Sequence, residues 1–354
     1  PDRILIVDNA SHDGTLARVA ALADALTLPV ETIALNENLG FASANNLAVA
    51  ALEGCEWVAL LNPDACPDPT WLQALLAAAG RHPAAAALGS RLMLAGPPSV
   101  LDGAGDEYHV SGLAWRLGHR RPMSQVTGAL VERRVIAACA AAALYRRQAW
   151  TDVGGFDPRF FCYMEDVDLG FRLCLRGHEC WYVPDAVAEH IGSATAGVGS
   201  AFAVYHGHRN LVWTFVKNMP GGLLVRYLAG HLAVNLVGLL WFAARGRGGA
   251  RQHHLLVIPA EMLEAIDEHH RGHGGEETHR LAKRHAGVAV DVGEHAADAA
   301  EATSDDRRLD LQPMIGAERS VTDAERAAGR DVGFEAGHKG RVFLDPDLLK
   351  QVDI

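Results

Sequence analysis

The sequence predicts an α/β protein with a mostly parallel sheet flanked by helices, followed by an apolar helix and a disordered acidic tail. Two observations support the sheet: near-continuous apolar runs alternate with amphipathic stretches up to about residue 95, and polar residues follow successive apolar runs. Strands of a parallel sheet are covered on both faces, so they are apolar along their whole length. A third observation supports the tail, because residues 286–354 are rich in Ala, Asp and Glu and lack a helical or strand period.

The predicted elements alternate between strand and helix. Strands are predicted at 3–7, 30–35, 57–61, 86–94, 136–145 and 180–184. Helices are predicted at 15–26, 41–52, 69–79 and 165–177. The segment 97–128 is rich in Gly, Arg and His, and this composition predicts a long mobile loop.

Polar side chains follow the first three predicted strands. Asp8 and Asn9 come after the first strand, Asn38 after the second, and Asn62 and Asp64 after the third. Because the carboxyl ends of parallel strands meet at one edge of a sheet, these residues predict a ligand crevice there. For the first run, ordinary capping of the next helix is the alternative interpretation.

Charge and composition exclude several classes of protein. The 354 residues carry a formal net charge of −11, which argues against a nucleic-acid binder that works through a basic face. The six cysteines are far apart with no C-x-x-C pair, so they predict reduced thiols and not a zinc site. The chain has no G-x-G-x-x-G after its first strand and no G-x-x-x-x-G-K-[ST], which argues against a nicotinamide enzyme and excludes a P-loop.

A 22-residue apolar stretch, 223–244, is interrupted by Arg226, His231 and Asn235. Its length would allow a membrane span, but the polar positions favour a helix that lies in the membrane interface. Basic residues from Arg245 onward suit the cytoplasmic side of an anionic membrane. A buried core helix is the alternative.

Six motifs, in this order, resemble the family-2 glycosyltransferases, in particular a bacterial rhamnosyltransferase-like branch. They are VDNASHDGT (7–15), NLGFASANN (38–46), LLNPDA (60–65), GGFDPRFF (154–161), EDVDL (165–169) and VPDAVAEH (183–190). The match covers about residues 2–220. The resemblance implies a GT-A fold, a nucleoside-diphosphate sugar donor, a divalent metal and inversion at the anomeric carbon.

The resemblance implies a metal site at the motif Asn62-Pro63-Asp64, which stands where the family has a DxD-type element. Asp64 would be its only anionic ligand, and Asn62 would contact the ribose or a metal-bound water. His190 matches a position where relatives have a metal-contacting histidine, although a lone histidine is more often structural. Oxygen ligands favour Mg²⁺ or Mn²⁺ over zinc. A metal there would neutralise the charge that develops on the leaving diphosphate.

The acidic pair Glu165 and Asp166 matches the family's catalytic pair. Asp166 is expected to act as the base that takes the acceptor's proton, and Glu165 to orient the acceptor or the base. Acidic residues also stabilise a helix N-terminus, which is the structural alternative. Asp168 is expected to support the loop or its cap. Arg209 and Asn210 match another short motif and suggest a phosphate or acceptor contact.

The remaining implied donor-binding residues come from the first two motifs. They are Asp8, Asn9, Asn38, Gly40 and Asn45, which would line the donor pocket together with the residues of the NPD motif. For the second motif, the alternative is a helix N-terminus that needs a glycine for its turn.

The resemblance also predicts how the chain is divided. The predicted parts are a glycosyltransferase domain at 1–220 with a nucleotide-binding half (1–95) and an acceptor half (96–220), a membrane-associating segment at 221–285, and a disordered tail at 286–354. Family members begin one strand and one helix earlier, so an N-terminally truncated sheet with open strand edges is expected.

The predicted function is therefore inverting transfer of a sugar, rhamnose from a dTDP donor, to a lipid-linked or cell-surface saccharide. This would occur at the cytoplasmic face of a bacterial plasma membrane and would not involve nucleic acid. Two alternatives remain at this point: a non-catalytic sugar-nucleotide-binding remnant or inactive fragment, and a soluble nucleotidyltransferase. A nucleotidyltransferase would not explain the acidic pair at the start of the helix predicted at 165–177.

Overall fold

The computed structural model describes residues 1–96, 99–191 and 200–244. In these residues the strands are β1 (Ile4–Asp8), β2 (Val30–Ala34), β3 (Trp57–Leu61), β4 (Ala65–Pro67), β5 (Ala85–Leu94), β6 (Leu101–Gly103), β7 (Asp106–Tyr108), β8 (Ala114–Arg116), β9 (Arg133–Val135), β10 (Ala142–Arg146) and β11 (Glu179–His190). The helices are α1 (Thr15–Ala23), α2 (Gly40–Ala51), α3 (Trp71–Arg81), α4 (Arg147–Asp152), α5 (Glu165–Leu175), α6 (Ala201–Asn218) and α7 (Gly221–Ala244). The predicted tail at 286–354 and the basic residues from Arg245 onward lie outside the described residues.

The main sheet is mixed and not mostly parallel, so that part of the prediction is wrong. Its seven strands follow the order β3-β10-β5-β11-β4, with β6 added beside β5 and β9 beside β11. Only β5 and β11 pair in parallel in the described sheet, whereas β10 runs antiparallel to both β3 and β5. A strand buried on both faces is apolar in either direction, so the apolar pattern does not encode strand direction.

Helices cover both faces of this sheet, as predicted. On β10, Ala142 and Leu144 face one apolar cluster, which includes Leu75 of α3. The alternate residues Ala143 and Tyr145 face the second cluster, to which α2, α4 and α5 contribute. This alternation follows from the two-residue period of a strand.

The first two strands form a sheet of their own. β1 and β2 pair in parallel over five positions, from Ile4 with Val30 to Asp8 with Ala34. Within the described residues neither strand is hydrogen-bonded to the main sheet. Helix α1 buries none of its residues, whereas α2 buries Ala42 and Val49.

Residues 99–128 do not form the mobile loop that their composition predicts. They contain β6, β7 and β8, and Leu101, Ala104 and Tyr108 among them are almost fully buried. Gly105 has a positive φ of 89°, and a Cβ there would lie 2.6 Å from the Val135 side chain. The buried apolar residues of this segment are separated by glycines and polar residues, so the sequence shows no strand or helix period there.

Strand β11 is longer than predicted and extends to His190. It pairs with β5 up to the position of His190 opposite Leu94, with a register shift between Val183 and Val187. Its last residues also pair with β4, where His190 lies opposite Ala65. The extension carries His190 to the edge of the sheet where the NPD motif lies.

Helix α7 packs with one face and exposes the other. His231 on its packed face stacks on Phe215 of α6 with ring centroids 3.9 Å apart, and its Nδ1 lies 2.8 Å from the main-chain oxygen of Ser111. The exposed side chains on the opposite side are largely aliphatic: Val225, Leu228, Leu232, Leu236, Val237 and Leu240. No helix in the described part of the chain meets the length and apolarity needed to cross a bilayer.

Candidate active site

Asp64 and His190 lie against each other at the end of the main sheet. The main-chain oxygen of Asp64 accepts a hydrogen bond from the Ile191 amide at 3.0 Å, which fixes the NPD turn beside the end of β11. Their side chains meet, with Nε2 of His190 3.3 Å from Oδ1 of Asp64. The two residues implied to bind metal are therefore brought together.

A buried carboxylate, Asp102 on β6, lies behind His190. Its Oδ2 is 2.8 Å from Nδ1 of His190 and accepts a hydrogen bond from Nη1 of Arg116 at 2.9 Å. Nδ1 of His119 lies 3.1 Å from the other carboxylate oxygen. Burial alone would raise the pKa of Asp102, but the charge of Arg116 and the hydrogen bonds from the two histidines hold that pKa well below its usual value.

The contact between His190 and Asp64 has a donor set that suits a divalent cation. When Nδ1 of His190 donates its proton to Asp102, Nε2 carries a lone pair and faces another acceptor, Oδ1 of Asp64. Two acceptors at that distance need a cation or a proton between them. Adjacent ligands of an octahedral ion with bonds of about 2.1 Å are about 3 Å apart.

Protein ligands are few at this position. No group of three or more His, Cys, Asp or Glu side chains arranged for metal binding occurs within the described residues. Mg²⁺ and similar ions commonly take one or two protein ligands and complete their shell with substrate phosphates and water. Asp64 and His190 fit such an ion, which would be bound jointly with a diphosphate. Asn62, implied to assist, is partly exposed, and its amide N–H donates to Ala141 at 2.8 Å.

The acidic pair Glu165 and Asp166 is buried in the first turn of α5. The Asp166 carboxylate is held by two main-chain amides, those of Val167 at 2.9 Å and Ala140 at 3.3 Å. Burial, followed by the neighbouring Asp166 charge, raises the pKa of Glu165 well above its ordinary value. Oε2 of Glu165 is buried and has no hydrogen-bond partner in the described residues.

Arg116 contacts the buried carboxylate behind His190 and acts electrostatically on the acidic pair. Besides its hydrogen bond to Asp102, its Nε lies 3.8 Å from Asp106, and its charge also acts on Asp166. Burial and the charge of Asp166 raise the pKa of Asp106, which lies beside the pair. A series of contacts thus leads from Asp64 through His190 and Asp102 to Arg116, and the charge of Arg116 acts on Asp166. Arg116 and the two buried aspartates of segment 99–128 were not predicted to belong to the site.

A strained loop leads into the acidic pair. Phe161, Tyr163 and Met164 all have positive φ angles, of 64°, 68° and 69°. Such conformations cost about 1 kcal/mol or more each for residues other than glycine, so other contacts must hold them. The buried Asn210 amide supplies these contacts by donating to the main-chain oxygens of Phe160, Cys162 and Tyr163 at 2.9, 2.8 and 2.7 Å.

Arg209 and Asn210, the two residues of the short motif, both bond to the main chain of this loop. Arg209 donates to the main-chain oxygens of Arg159 and Phe160 at 3.1 and 2.9 Å, and its guanidinium lies 4.2 Å from the centre of the Trp213 ring. Asn210 is fully buried, so it has no surface to offer a phosphate or an acceptor.

Three of the implied donor-binding residues, Asn9, Asn38 and Gly40, form one hydrogen-bonded group. The Asn9 side chain donates to Asn38 at 2.9 Å and accepts from the Leu39 amide at 2.8 Å, and the Gly40 amide donates to Asn38 at 2.9 Å. Asp8 is buried and its Oδ1 has no partner in the described residues.

Gly40 joins this group to the strained loop. Its φ is +81°, and a Cβ on it would lie 2.4 Å from the Phe161 ring, so both the backbone conformation and the close approach require glycine. The next turn is bonded to the same loop through the Ala42 amide and the Phe161 oxygen at 3.1 Å. Asn45 is placed differently, because its side chain donates to the Phe41 oxygen of its own helix at 2.9 Å.

Asp168 supports the site from behind, in agreement with the sequence-based expectation. Its carboxylate is completely buried and accepts hydrogen bonds from Arg172 at 2.7 Å, Lys217 at 3.0 Å and Asn218 at 2.8 Å. Lys217 also bonds Asp157 at 2.8 Å. This network fastens α5, which carries the acidic pair, to α6 and to the turn before the strained loop.

Comparisons with known proteins show which family the chain resembles. The model of "Glycosyl transferase family 2" matches residues 1–150. An N-acetylglucosaminyl-diphospho-decaprenol L-rhamnosyltransferase of Mycobacterium tuberculosis is 33% identical over 235 residues, which cover 58% of this chain and 72% of the relative. The O-antigen biosynthesis protein RfbC of Myxococcus xanthus is 29% identical over 180 residues, 49% of this chain but only 14% of that protein.

A solved structure extends the likeness to the fold. The chain resembles GalNAc-T7, crystallised with UDP, GalNAc and Mn²⁺, with a TM-score of 0.52 and 14% identity over 76% of this chain. It spans 48% of that longer chain. Such a likeness supports a GT-A-like arrangement of sheet and helices. From its match to the family model and to most of the mycobacterial enzyme, the chain belongs to glycosyl transferase family 2 and is a rhamnosyltransferase-like glycosyltransferase.

Proposed function

We propose that this enzyme transfers L-rhamnose, with inversion, from a dTDP-linked donor to an N-acetylglucosaminyl diphosphate carried on a lipid. The sugar and the acceptor are suggested by the mycobacterial relative and by the ordered motifs. The observation that carries the proposal is the series of contacts from Asp64 and His190 through Asp102 to Arg116, whose charge acts on Asp166. It supports a single site that contains a cation-binding pair and a fixed carboxylate.

At the leaving-group end, Asp64 and His190 would hold Mg²⁺ or Mn²⁺ against the donor diphosphate. The ion would neutralise the negative charge that accumulates on the departing nucleoside diphosphate. Asn62, in the same turn as Asp64, is partly exposed and is proposed to contact the ribose or a water beside the ion. The Mn²⁺-containing GalNAc-T7 crystal structure is consistent with such an ion, although it shares only the fold.

At the acceptor end, Asp166 would take the proton of the attacking hydroxyl. The amides of Val167 and Ala140 fix its carboxylate, so no reorganisation is needed when the hydroxyl attacks. Glu165 has a raised pKa and therefore stays protonated over a wider pH range. Its unpartnered Oε2 is proposed to orient the acceptor. Inversion requires only one base, because the diphosphate leaves without protonation.

The donor nucleoside is proposed to bind beside Asp8, Asn9, Asn38 and Gly40. The unpartnered Oδ1 of Asp8 suits a hydroxyl or imino donor of the ligand. Asn9 and Asn38 already bond to each other and would shape the wall of the pocket. Asn45 was expected to bind the donor as well. Its side chain bonds within α2, so it is proposed only to lie next to the pocket wall.

The test of this function is transfer with and without metal. Purified protein incubated with dTDP-rhamnose, a lipid-linked N-acetylglucosaminyl diphosphate and Mn²⁺ should give a product heavier by one deoxyhexose, detected by mass spectrometry. Chelation by EDTA should remove activity, because the leaving group then lacks charge neutralisation. Added Mn²⁺ or Mg²⁺ should restore it. Donor binding without any product, for this and other dTDP- and UDP-sugars, would instead support a non-catalytic protein. Equal rates in EDTA would refute the metal assignment.

We further propose that the enzyme works at the cytoplasmic membrane surface and that segment 221–285 contacts the lipid. The support is the exposed face of α7, where Leu232 and Leu236 are 44% and 56% exposed and Arg226 is the charged residue. A helix with one aliphatic exposed face suits insertion into the interface, and a lipid-linked acceptor would be presented there.

The double variant Leu232→Asp/Leu236→Asp is expected to bind phosphatidylglycerol-containing vesicles about tenfold more weakly, or weaker still. Burying a leucine side chain contributes about 1.5–3 kcal/mol, and two are lost. Sedimentation with vesicles measures the bound fraction. Leu22→Asp on α1 is the control, because Leu22 is 64% exposed and lies outside α7. Undiminished binding of the double variant would overturn the proposed membrane contact.

A further inference from the structure

The carboxylate of Asp102 is the least explained charge near the site. It is buried on β6, and side chains from three other positions surround it. His190 Nδ1 and Arg116 Nη1 lie 2.8 and 2.9 Å from Oδ2, and His119 Nδ1 lies 3.1 Å from Oδ1. Neither the base nor the donor pocket of the proposed reaction uses it, although a buried carboxylate is costly to keep unless it is fully bonded.

The consequence for His190 follows from the chemistry of imidazole. A neutral ring has one N–H donor and one acceptor nitrogen, and the partner of one nitrogen decides the role of the other. Asp102 is an acceptor, so Nδ1 carries the proton. In the neutral ring Nε2 is then left with its lone pair, and it is this nitrogen that lies 3.3 Å from Asp64, where a bound cation would take the place of a second proton.

The main sheet keeps this arrangement rigid. β6, which carries Asp102, and β11, which ends at His190, both pair with β5 near its end, at Leu92 and Leu94. Arg116 lies against Gly103, where a Cβ would be only 3.0 Å from the arginine side chain. The carboxylate and the imidazole are therefore presented from two strands that both pair with β5, and they do not depend on a flexible loop.

We propose that Asp102 is a positioning residue that fixes His190 in the Nδ1–H form, so that Nε2 and Asp64 together face a divalent cation. Arg116 holds Asp102 in the required orientation. This inference rests on the proposed function, because it assumes that the cation binds between Asp64 and His190. A carboxylate that accepts the second N–H of a metal-binding histidine commonly changes metal affinity by about 10–100-fold.

The first test is spectroscopic and leaves Asp102 unchanged. Long-range ¹H–¹⁵N correlation spectra of ¹⁵N-histidine-labelled protein with Mg²⁺ and dTDP bound report which nitrogen of each histidine carries the proton. The His190 signals are assigned from their absence in His190→Gln. A protonated Nδ1 with an unprotonated Nε2 is the expected result. A protonated Nε2, alone or together with Nδ1, would overturn the inference.

The second test measures Mn²⁺ binding in the presence of dTDP by electron paramagnetic resonance. Asp102→Asn keeps the shape of the side chain but removes its charge, and should weaken Mn²⁺ binding about 10–100-fold. His119→Gln is the matched control, since His119 touches the same carboxylate but not His190, and its affinity should stay close to that of the unsubstituted protein. Circular dichroism checks that each variant is folded.

The outcomes separate this inference from the proposed function. If His190→Ala loses Mn²⁺ affinity while folded Asp102→Asn keeps it, Asp102 does not position the histidine, although the metal site stands. If the unsubstituted protein binds no Mn²⁺ with dTDP, both the inference and the metal part of the proposed function are wrong. Should Asp102→Asn fail to fold, the spectra of the unsubstituted protein alone decide the question.

Discussion

Replacing Asp166 by Asn is expected to lower kcat about 10²–10⁴-fold while the affinity for the dTDP-sugar stays nearly unchanged. Asn has the same shape and can still accept the shorter hydrogen bond, from the Val167 amide, while it loses the longer one from Ala140, so the start of α5 should keep its geometry. It cannot accept the proton of the attacking hydroxyl. Initial rates of rhamnosyl transfer measure kcat, and calorimetric titration with the donor measures binding.

Two further variants make the result specific to Asp166. Glu165→Gln replaces the adjacent buried residue with a neutral group, and because the pKa of Glu165 is already raised, the loss of rate should be much smaller and seen mainly in the acceptor KM. Asp152→Asn on α4 removes an exposed carboxylate that accepts a hydrogen bond from Gln148, and it should leave the rate unchanged. If Glu165→Gln is inactive while Asp166→Asn remains active, Glu165 and not Asp166 is the base.

The parts of the site that could be predicted are those that follow directly from a strand end or a helix start. Asp64 follows β3 in a short turn, and Glu165 and Asp166 begin α5 as expected. Asn9 and Asn38 follow neighbouring parallel strands and do bond to each other. In each case the local chain direction determines where the side chain lies, and that direction can be inferred from the sequence pattern.

The missed residues depend on contacts between distant segments. Asp102 and Arg116 belong to very short strands whose partners are β5 and β7, so neither shows a periodic pattern of its own. The two aspartates that flank Gly103 and Gly105 were a usable signal, since closely spaced carboxylates among glycines in an arginine-rich segment need buried partners. Likewise, the role of Asn210 became visible only with the positive φ angles of the loop that it holds.

The strand directions in the main sheet could not be predicted for a related reason. β10 is as apolar as β5 and is buried on both faces, so the sequence could not distinguish an antiparallel strand from a parallel one. Its direction follows from the long connection after β5, which leaves the chain at the same end of the sheet, so that β10 runs back antiparallel to β5. Tertiary structure in residues 99–141 thus determined both the sheet type and the missed half of the site.

Removing the buried carboxylate of Asp168 is expected to destabilise the enzyme by about 3–5 kcal/mol, because Asp168→Ala leaves Arg172 and Lys217 without their shared partner. The side chain of Asp168 is 0% exposed, so water cannot replace the lost contacts. Urea titration followed by circular dichroism measures the free energy of unfolding. Glu56→Ala is the control, because its ion pair with Arg146 is largely exposed and should contribute no more than about 1 kcal/mol.

Because of the same network, the free energy of unfolding should decrease as the pH is lowered. Burial alone would raise the pKa of Asp168, but the charges of Arg172 and Lys217 outweigh it and hold the pKa below the ordinary value, and Arg159 and Lys217 do the same for Asp157. A depressed pKa contributes stability above the unfolded-state pKa of about 3.9, and this is lost as the pH falls through the folded value. The free energy of unfolding should therefore decline below about pH 4, and less steeply in Asp168→Asn, since that variant has one fewer carboxylate to protonate. Equal slopes in both proteins would show that the Asp168 network does not govern the acid response.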